Sequence, residues 1–138
     1  MKNILIDTDV ILDFFFDRTP FSEDATGILS MCESGDVNGY LTPVIISNTY
    51  YLLRRTSGHR KVIEKLNQLM TILKILYMDK DSVMSALRSD FKDFEDALQN
   101  YAAENSGIID VIVTRNVKDY SKSKIGVMTP KNYVKGFK

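Results

Sequence analysis

The chain has 138 residues, of which 44% are hydrophobic, and its 18 basic and 18 acidic residues cancel in charge. This length predicts one domain able to bury a core of its own, and the balanced charge argues against a protein held on nucleic acid by bulk charge alone. The single Cys32 excludes an internal disulfide and a cysteine-based zinc site, and the absence of a signal segment or a membrane-length apolar stretch predicts a soluble cytoplasmic protein.

The first predicted strand is the apolar run from Ile4 to Ile6, which ends abruptly at Asp7. A short β-branched run of this kind is typical of a parallel strand buried on both faces. The carboxyl ends of such strands form the edge at which open α/β sheets bind their ligands. Asp7 is therefore a candidate site residue or, alternatively, the cap of the helical turn that follows. Asp9 and Asp13 come within the next two turns.

Two of the three Thr-Pro pairs predict helix starts, because threonine caps a helix and proline suits its first turn. The helix after Thr19-Pro20 is expected to end at Gly35 and to be followed by a weak strand over 37–41. The helix after Thr42-Pro43 is expected to run to about Arg55.

The second of these helices carries Asn48 and Thr49 on the same face as the apolar Ile45 and Leu52. Polar residues on a core-facing stripe are either hydrogen-bonded parts of the structure or parts of a site. The structural interpretation is the more common one for an isolated asparagine, and Asn48 stays a candidate for both.

The second half of the chain predicts three more helices and three more strands. In chain order these are a helix over 62–73, a buried strand over 75–78, helices over 79–91 and 93–107, and strands over 108–114 and 125–128. Asp93 is the predicted N-cap of the helix over 93–107. Because helices alternate with strands, the predicted fold class is α/β, a single-domain parallel sheet flanked by helices on both faces. The tyrosine-rich helix over 48–55 and the apolar stripe over 62–73 offer more apolar surface than one sheet face covers, so we expect a two-fold homodimer.

Three acidic or amide clusters fall at equivalent positions of this predicted fold. Asp7 ends a strand, Asp96 opens a helix, and Asn116 and Asp119 follow a later strand. Carboxylates brought together without compensation repel one another, which raises their pKa values, and a divalent cation removes that repulsion. Oxygen ligands without His or Cys favour Mg²⁺ or Mn²⁺ over zinc. Such a site orients an attacking water and neutralises charge on a phosphodiester that is being cleaved.

Four segments resemble the PIN-domain ribonucleases, the family that includes the VapC-type toxins. They are LIDTDVILDFF, TPVIISNTYYLLRR, DFEDALQNYAAENSGIIDVIVTRNVKDY and VMTPKNY, and they span essentially the whole chain. The resemblance implies a parallel sheet with an acidic pocket at its carboxyl edge, dependence on Mg²⁺ or Mn²⁺, and endonucleolytic hydrolysis of RNA. It also implies an antitoxin protein as a candidate partner, and it is consistent with a homodimer.

The resemblance places Asp7 at the first acid of the family pattern and Asp96 at the third, as metal ligands. At the other two positions the family usually has glutamate and aspartate, where this chain has Asn48 and Asn116. Asparagine offers a metal its carbonyl oxygen but adds no negative charge. The expected catalytic residues are Asp7, Asp96, Asn48 and Asn116. The acids that are candidates to compensate for the missing charge are Asp93, Glu95 and Asp119, with Asp93 and Asp119 as further metal ligands.

Six basic residues are candidate phosphate contacts at the rim of the expected pocket, although each alone is more typical of a solvated side chain. They are Arg54, Arg55, Arg115, Lys118, Lys122 and Lys124.

Two alternatives from other functional classes stay open. The segment DTDVILD is also similar to the start of haloacid-dehalogenase-like phosphatases, in which the first aspartate is a nucleophile and the second a general acid. That family needs a later acidic pair, which IIDVIVTRN does not offer. The two asparagines also allow a module that binds RNA or an antitoxin without cleaving anything.

Overall fold

A computed structural model of the chain describes residues 2–137. Within them, five parallel strands form one sheet that is covered by seven α-helices. The strands are β1 (Asn3–Ile6), β2 (Asn38–Leu41), β3 (Lys74–Ile75), β4 (Val111–Val113) and β5 (Gly126–Met128). The helices are α1 (Thr8–Phe15), α2 (Ser22–Glu33), α3 (Pro43–Leu53), α4 (His59–Met70), α5 (Lys80–Leu87), α6 (Phe94–Ser106) and α7 (Pro130–Phe137), with a short 3₁₀ helix at Val117–Tyr120. None of these helices is both long and apolar enough to cross a bilayer.

The strands lie in the order β3-β2-β1-β4-β5, and every pair is parallel. The chain moves outward from β1 to β2 and β3, then crosses back to β4 and β5. Because parallel crossovers are right-handed, connections that run in opposite directions across a sheet leave their helices on opposite faces. Helices α1 to α4 therefore cover one face, and α5 and α6, which pack on each other, cover the second face. The predicted three-layer α/β/α class is confirmed.

Strand β1 lies at the centre of the sheet and of the core. Ile4, Leu5 and Ile6 are fully buried, and they align with the three buried valine and isoleucine residues of β4. The prediction of a first strand buried on both faces is confirmed. Since β1 and β4 are neighbours that are far apart along the chain, the direction of winding reverses between them, and such a reversal is where open α/β sheets bind ligands.

Cys32 is part of this core, as its isolation in the sequence suggests. Its side chain is 7% exposed, and burial raises the pKa of the thiol to about 11. A Cβ atom at Gly39 would lie 2.6 Å from the Cys32 sulfur, so only glycine lets β2 approach α2 this closely.

Two predicted helix caps are confirmed. Thr42 Oγ1 accepts a hydrogen bond from Ile45 N at 3.1 Å at the start of α3. Asp93 Oδ1 accepts one from Asp96 N at 3.0 Å at the start of α6, and α6 ends at Gly107, which adopts φ 70°. The cap of α6 matters for the site because it places Asp96 in the first turn.

The predicted start of α2 at Thr19-Pro20 is wrong. The helix begins at Ser22, and its N-cap residue is Phe21, whose side chain makes no capping hydrogen bond. The backbone N–H groups of Phe21 and Ser22 both bind Arg18 O, at 2.8 and 2.7 Å. A turn closed on Arg18 therefore precedes the helix, and Thr19-Pro20, joined by a cis peptide bond, lies within it.

The predicted buried strand over 75–78 is also wrong. Strand β3 has only the two residues Lys74 and Ile75, both exposed, and it pairs with β2 alone. Leu76 is buried after the strand has ended, and Tyr77 is 78% exposed. Residues 75–78 are an apolar run in the sequence, but β3 lies at the edge of the sheet and therefore has one neighbouring strand instead of two.

Candidate functional site

Asp7 lies directly after β1, at the point where the winding of the sheet reverses. Its backbone N–H donates to Val113 O at 3.0 Å, which holds it beside the end of β4. Its Oδ1 accepts from Thr8 N at 2.8 Å and so caps α1. Its Oδ2 accepts from Thr114 Oγ1 at 3.0 Å. The two interpretations of Asp7 in the sequence therefore apply together, since the residue caps a helix and stands at the ligand-binding edge.

Tyr120 connects Asp7 to Asp96. Its hydroxyl lies 3.2 Å from Asp7 Oδ2 and 3.3 Å from Asp96 Oδ1, and the residue is 2% exposed. A phenol has one proton to donate, so it serves one of these carboxylates at a time. The distance between Asp7 Oδ2 and Asp96 Oδ1 therefore cannot exceed the sum of these two distances. The structure thus brings together the two acids that the sequence singled out.

The negative charge of the acids at this site is poorly compensated, and their pKa values are raised. Burial raises the pKa of Asp7 above its ordinary value, against hydrogen bonds from Thr8, Thr114 and Tyr120 that lower it. Burial, followed by repulsion from Asp7, raises the pKa of Asp96 to about 7. Burial and the same repulsion raise the pKa of Asp9 to about 6.

Asp9 is a member of this cluster that sequence reasoning did not assign. Its Oδ2 accepts from Arg115 N at 3.1 Å and lies 3.3 Å from Thr114 Oγ1, whose single proton is donated to either Asp9 or Asp7. Its Oδ1 is buried and accepts no hydrogen bond from any residue in the range 2–137. Buried carboxylate oxygens are normally paired, so this oxygen is a further sign of a site that needs a cation or donor from outside the chain.

Asn48 makes no hydrogen bond to Asp7 or Asp96 within residues 2–137. Its Nδ2 donates to Glu95 Oε2 at 2.8 Å, which joins α3 to the first turn of α6. Asn48 and Glu95 line an open depression of about 310 Å³ with Thr8, Tyr51 and Leu52. Glu95 therefore supplies a carboxylate beside α3, the helix on which the family pattern expects a glutamate.

Asn116, Asp93 and Asp119 are exposed residues near the acid cluster. The Asn116 backbone donates to Thr114 Oγ1 at 3.1 Å, but its side chain makes no hydrogen bond within the described part of the chain. Asp93 is occupied in capping α6. Asp93 and Asp119 both raise the pKa of Asp96 by repulsion, so their charges reach the site although their side chains do not contact it.

Arg115 is the one predicted phosphate contact that forms an ion pair, among the residues that the structure describes. Its guanidinium binds both carboxylate oxygens of Asp13, with Nε at 2.6 Å and Nη2 at 3.1 Å. Asp13 is 1% exposed, and the guanidinium carbon also lies 4.0 Å from the ring centroid of Phe21. Arg115 therefore positions the loop after β4 in this structure.

The other predicted phosphate contacts are exposed and form no ion pair with an acid of residues 2–137. Arg54 donates to Ser57 O at 3.1 Å, at the end of α3. The rest of this group are Arg55, Lys118, Lys122 and Lys124.

The residues that sequence reasoning missed are Asp9, Thr114 and Tyr120, together with the Asp13 and Phe21 partners of Arg115. Thr114 and Tyr120 could have been found from the sequence, because both lie in VTRNVKDY, the end of the third segment that resembles the PIN-domain family. Phe21 had none, because its contact with Arg115 joins residues 94 positions apart.

Whether these residues fit a divalent cation can be judged from their donors. Residues 2–137 contain no group of three or more Asp, Glu, His or Cys side chains arranged to hold a metal ion, so neither Asp93 nor Asp119 joins Asp7 and Asp96 in one ligand group. Mg²⁺ commonly keeps several waters and uses one or two carboxylates with substrate phosphates. Asp7 and Asp96 supply two such carboxylates, and Asp9, whose Oδ2 lies near the same Thr114 hydroxyl as Asp7, has an unpaired Oδ1. The oxygen donors of the site therefore fit Mg²⁺ or Mn²⁺ in this mode.

Comparison with known proteins places these observations in a family. A family model of the PIN domain matches residues 3–118, and no curated protein matches significantly. The structure is similar to a toxin-antitoxin complex from Klebsiella pneumoniae, with 20% identity, 92% of this chain and 97% of that chain covered, and a TM-score of 0.69. It is similar to VapBC-1 from nontypeable Haemophilus influenzae, with 13% identity, 94% and 98% covered, and a TM-score of 0.69. The sarcin-ricin loop cleaving toxin VapC20 of Mycobacterium tuberculosis follows at 19% identity, 79% and 86% covered, and a TM-score of 0.61.

Proposed function

Because the chain belongs to the PIN-domain family, we propose that it is a cytoplasmic endoribonuclease dependent on Mg²⁺ or Mn²⁺, and the toxin of a toxin-antitoxin pair. The observation that carries the proposal is the convergence of Asp7 and Asp96 on the hydroxyl of Tyr120. These are the two acids that the family pattern predicts as ligands, and they meet where α/β sheets bind ligands.

The chain's own residues have separable tasks in such a reaction. Asp7 and Asp96 would hold the cation, which when bound neutralises phosphate charge and lowers the pKa of an attacking water. Thr114 and Tyr120 orient Asp7 by donating to its Oδ2. The first turn of α6, fixed by its Asp93 cap, keeps Asp96 facing Asp7.

RNA is the proposed substrate because the site is built from hard oxygen donors suited to phosphodiester hydrolysis. A structural neighbour, VapC20, is described as a toxin that cleaves the sarcin-ricin loop. The loop after β4 contains Asn116, and the 3₁₀ helix that follows contains both Lys118 and Tyr120. Because Tyr120 contacts the two acids, Lys118 is the exposed cation best placed to bind a phosphate there.

The direct test is cleavage of one structured and one unstructured RNA by the purified protein, with Mg²⁺, with Mn²⁺, and with a chelator. Cleavage is expected only with the metals, and Asp7→Asn and Asp96→Asn should each abolish it. Glu64→Gln is a control, since Glu64 is exposed on α4 and makes no contact with the site. Cleavage that survives chelation or both aspartate variants would overturn the proposal.

An antitoxin partner is proposed because two of the neighbours compared above are described as a toxin-antitoxin complex and as VapBC-1. Induced expression of the chain alone in a bacterium should then arrest growth, and Asp7→Asn should not. Growth arrest by both forms to the same extent would point to a cause other than the site.

We also propose a homodimer, on a smaller surface than the sequence predicts. The apolar stripe over 62–73 is largely covered within the chain, with Val62, Leu66 and Leu69 all buried. Tyr51 on α3 is 67% exposed and Ile63 on α4 is 38% exposed. Light scattering should give twice the monomer mass of 15.7 kDa, and Tyr51→Ser should weaken the dimer; a monomer at high concentration would contradict it.

One observation favours a second candidate function, a module that binds RNA or an antitoxin without cleavage. Asn48 donates to Glu95 and not to either of the two central acids, and the side chain of Asn116 makes no hydrogen bond within residues 2–137. RNA retained by the protein without hydrolysis, in the presence of either metal, would be the result expected of this alternative.

A further inference from the structure

A cleft of about 410 Å³ opens beside the acids, at the ends of β4 and β5. Its walls include Phe21, Asp24, Arg115 and Lys131, together with the two prolines Pro20 and Pro130; we refer to it as the Phe21 cleft. Arg115 directly follows Thr114, which binds Asp7 and Asp9. The Phe21 cleft and the acid cluster are therefore neighbours on the same edge of the sheet.

The aromatic wall of this cleft is exposed and held in place. Phe21 is 40% exposed, although burial would stabilise an aromatic ring. Arg115 lies 4.0 Å from its centroid and is locked there by two hydrogen bonds to the buried Asp13. A cation–π pair of this kind, fixed before a ligand arrives, is a platform on which a nucleobase stacks at small entropic cost.

The cleft also holds two charged groups that have no partner in the described residues. Asp24 is half-buried in the first turn of α2, and Lys131 is exposed in the first turn of α7. No ion pair joins them within residues 2–137. A ligand that suits both groups carries N–H donors on one side and negative charge on the other, as a nucleotide does.

We propose that the Phe21 cleft is a nucleotide subsite that reads a guanine next to the scissile phosphate. The base stacks on the Phe21–Arg115 pair, Asp24 accepts hydrogen bonds from its Watson–Crick edge, and Lys131 binds its phosphate. Guanine is favoured because its ring N–H and amino group point the same way and match the two oxygens of a carboxylate. This deepens the proposed ribonuclease function and rests on it for the RNA substrate, although mononucleotide binding can be tested separately.

The test is titration of isotope-labelled full-length protein with GMP, AMP, CMP and UMP in metal-free buffer, followed by NMR. GMP should shift the amide signals of Phe21, Asp24, Arg115 and Lys131 at the lowest concentration. Phe21→Ala should weaken GMP binding about tenfold. Asp24→Asn should remove the preference for GMP over AMP, because an amide presents only one acceptor oxygen.

Two control variants match these changes. Phe137→Ala removes a phenylalanine that is 39% exposed on α7 and lies outside the cleft. Glu23→Gln neutralises the exposed acid beside Asp24 in the same helical turn. Both should leave GMP binding unchanged. Equal affinity for all four nucleotides, shifts away from the cleft, or no binding would overturn the proposal.

An RNA cleavage assay distinguishes failure of the guanine-subsite proposal from failure of the proposed ribonuclease function. If wild-type protein cleaves RNA, cutting should be strongest beside guanosine, and Asp24→Asn should lower kcat/KM for that site about tenfold and leave other sites unchanged. Cleavage without base preference would overturn the guanine subsite but keep the ribonuclease. Binding of GMP in the cleft by a protein that cleaves no RNA would keep the subsite and overturn the ribonuclease.

Discussion

The hydroxyl of Tyr120 lies 3.2 Å from Oδ2 of Asp7. The same hydroxyl is 3.3 Å from Asp96 Oδ1, so a single phenol stands between the two acids of the site. Its own pKa is raised above the usual range, by burial first and then by Asp7 and Asp96. Tyr120 therefore keeps its proton and acts as a fixed donor that helps two like charges to share one site.

Tyr120→Phe tests this arrangement because it keeps the ring and removes the donor. We expect the free energy of unfolding to fall by about 1.5–3 kcal/mol at neutral pH without metal, the usual range for a hydrogen bond to a charged group. Tyr101→Phe is the matched control, since Tyr101 is half-buried on α6 and its hydroxyl makes no hydrogen bond in the described residues. Urea unfolding measures both, and equal stability of the two variants would contradict the role given to Tyr120.

A divalent cation should stabilise the fold through Asp7. A ligand that binds only the folded state raises the melting temperature by mass action, so Mg²⁺ and Mn²⁺ should do so in wild-type protein. Asp7→Asn should abolish the shift while the variant still folds, because asparagine also caps a helix well. Glu64→Gln should respond as wild type does. A metal response that persists in Asp7→Asn would place the cation elsewhere.

The raised pKa of Asp96 predicts how stability depends on pH without metal. Its pKa moves from an ordinary 3.8 to about 7, by burial first and then by Asp7, Asp93 and Asp119. Between these values the folded protein keeps a proton that the unfolded chain releases, so stability should decrease as pH rises from about 4 to about 7. Asp7 and Asp9 are shifted in the same direction.

Asp96→Asn removes the titrating group and should flatten this pH profile. The measurement is urea unfolding in chelator across that pH range, with the difference between wild type and variant isolating Asp96. Parallel profiles for the two proteins would show that Asp96 does not hold its proton in the folded state.

The features predicted correctly from the sequence are those with a local signal. The buried strand before Asp7 and the caps Thr42 and Asp93 each depend on residues within a few positions of one another. The edge position of β3 depends on strand order, and no short segment encodes it. The contacts of Tyr120 join residues 113 and 24 positions apart. Sequence reasoning could therefore name Asp7 and Asp96 but could not place a tyrosine hydroxyl between them.

The pairing of Asp13 with Arg115 should be a major contribution to stability. Asp13 is 1% exposed, and its removal leaves a guanidinium that is 28% exposed without its bidentate partner. We expect Asp13→Asn to destabilise the fold by about 2–4 kcal/mol, slightly below the range for a fully buried pair. Arg18→Ala is the control, because Arg18 contacts the same carboxylate at 3.5 Å but is 43% exposed, and it should cost less than about 1 kcal/mol. If Asp13→Asn also destabilises the fold by less than about 1 kcal/mol, the Asp13–Arg115 pair is not a major contribution to stability.

The two asparagines at family acid positions should respond differently to added charge. Asn116 is exposed and its side chain is uncommitted within residues 2–137, so Asn116→Asp should fold normally and tighten Mg²⁺ or Mn²⁺ binding, because site charge tunes affinity for a hard cation. Asn48→Glu would instead place a carboxylate where an amide now donates to Glu95 at 2.8 Å. We expect repulsion to destabilise this variant in the absence of metal.

Adding Glu95→Gln to Asn48→Glu should recover that loss, because the exchange restores an amide donor facing a carboxylate. Urea unfolding of the single and double variants gives the coupling energy between the two positions, and calorimetry gives their metal affinity. If the double variant is as unstable as Asn48→Glu, the α3–α6 contact is not what opposes the charge. If Asn116→Asp binds metal no more tightly than wild type, Asn116 does not face the cation, and the site rests on Asp7 and Asp96 with their neighbours Asp9 and Glu95.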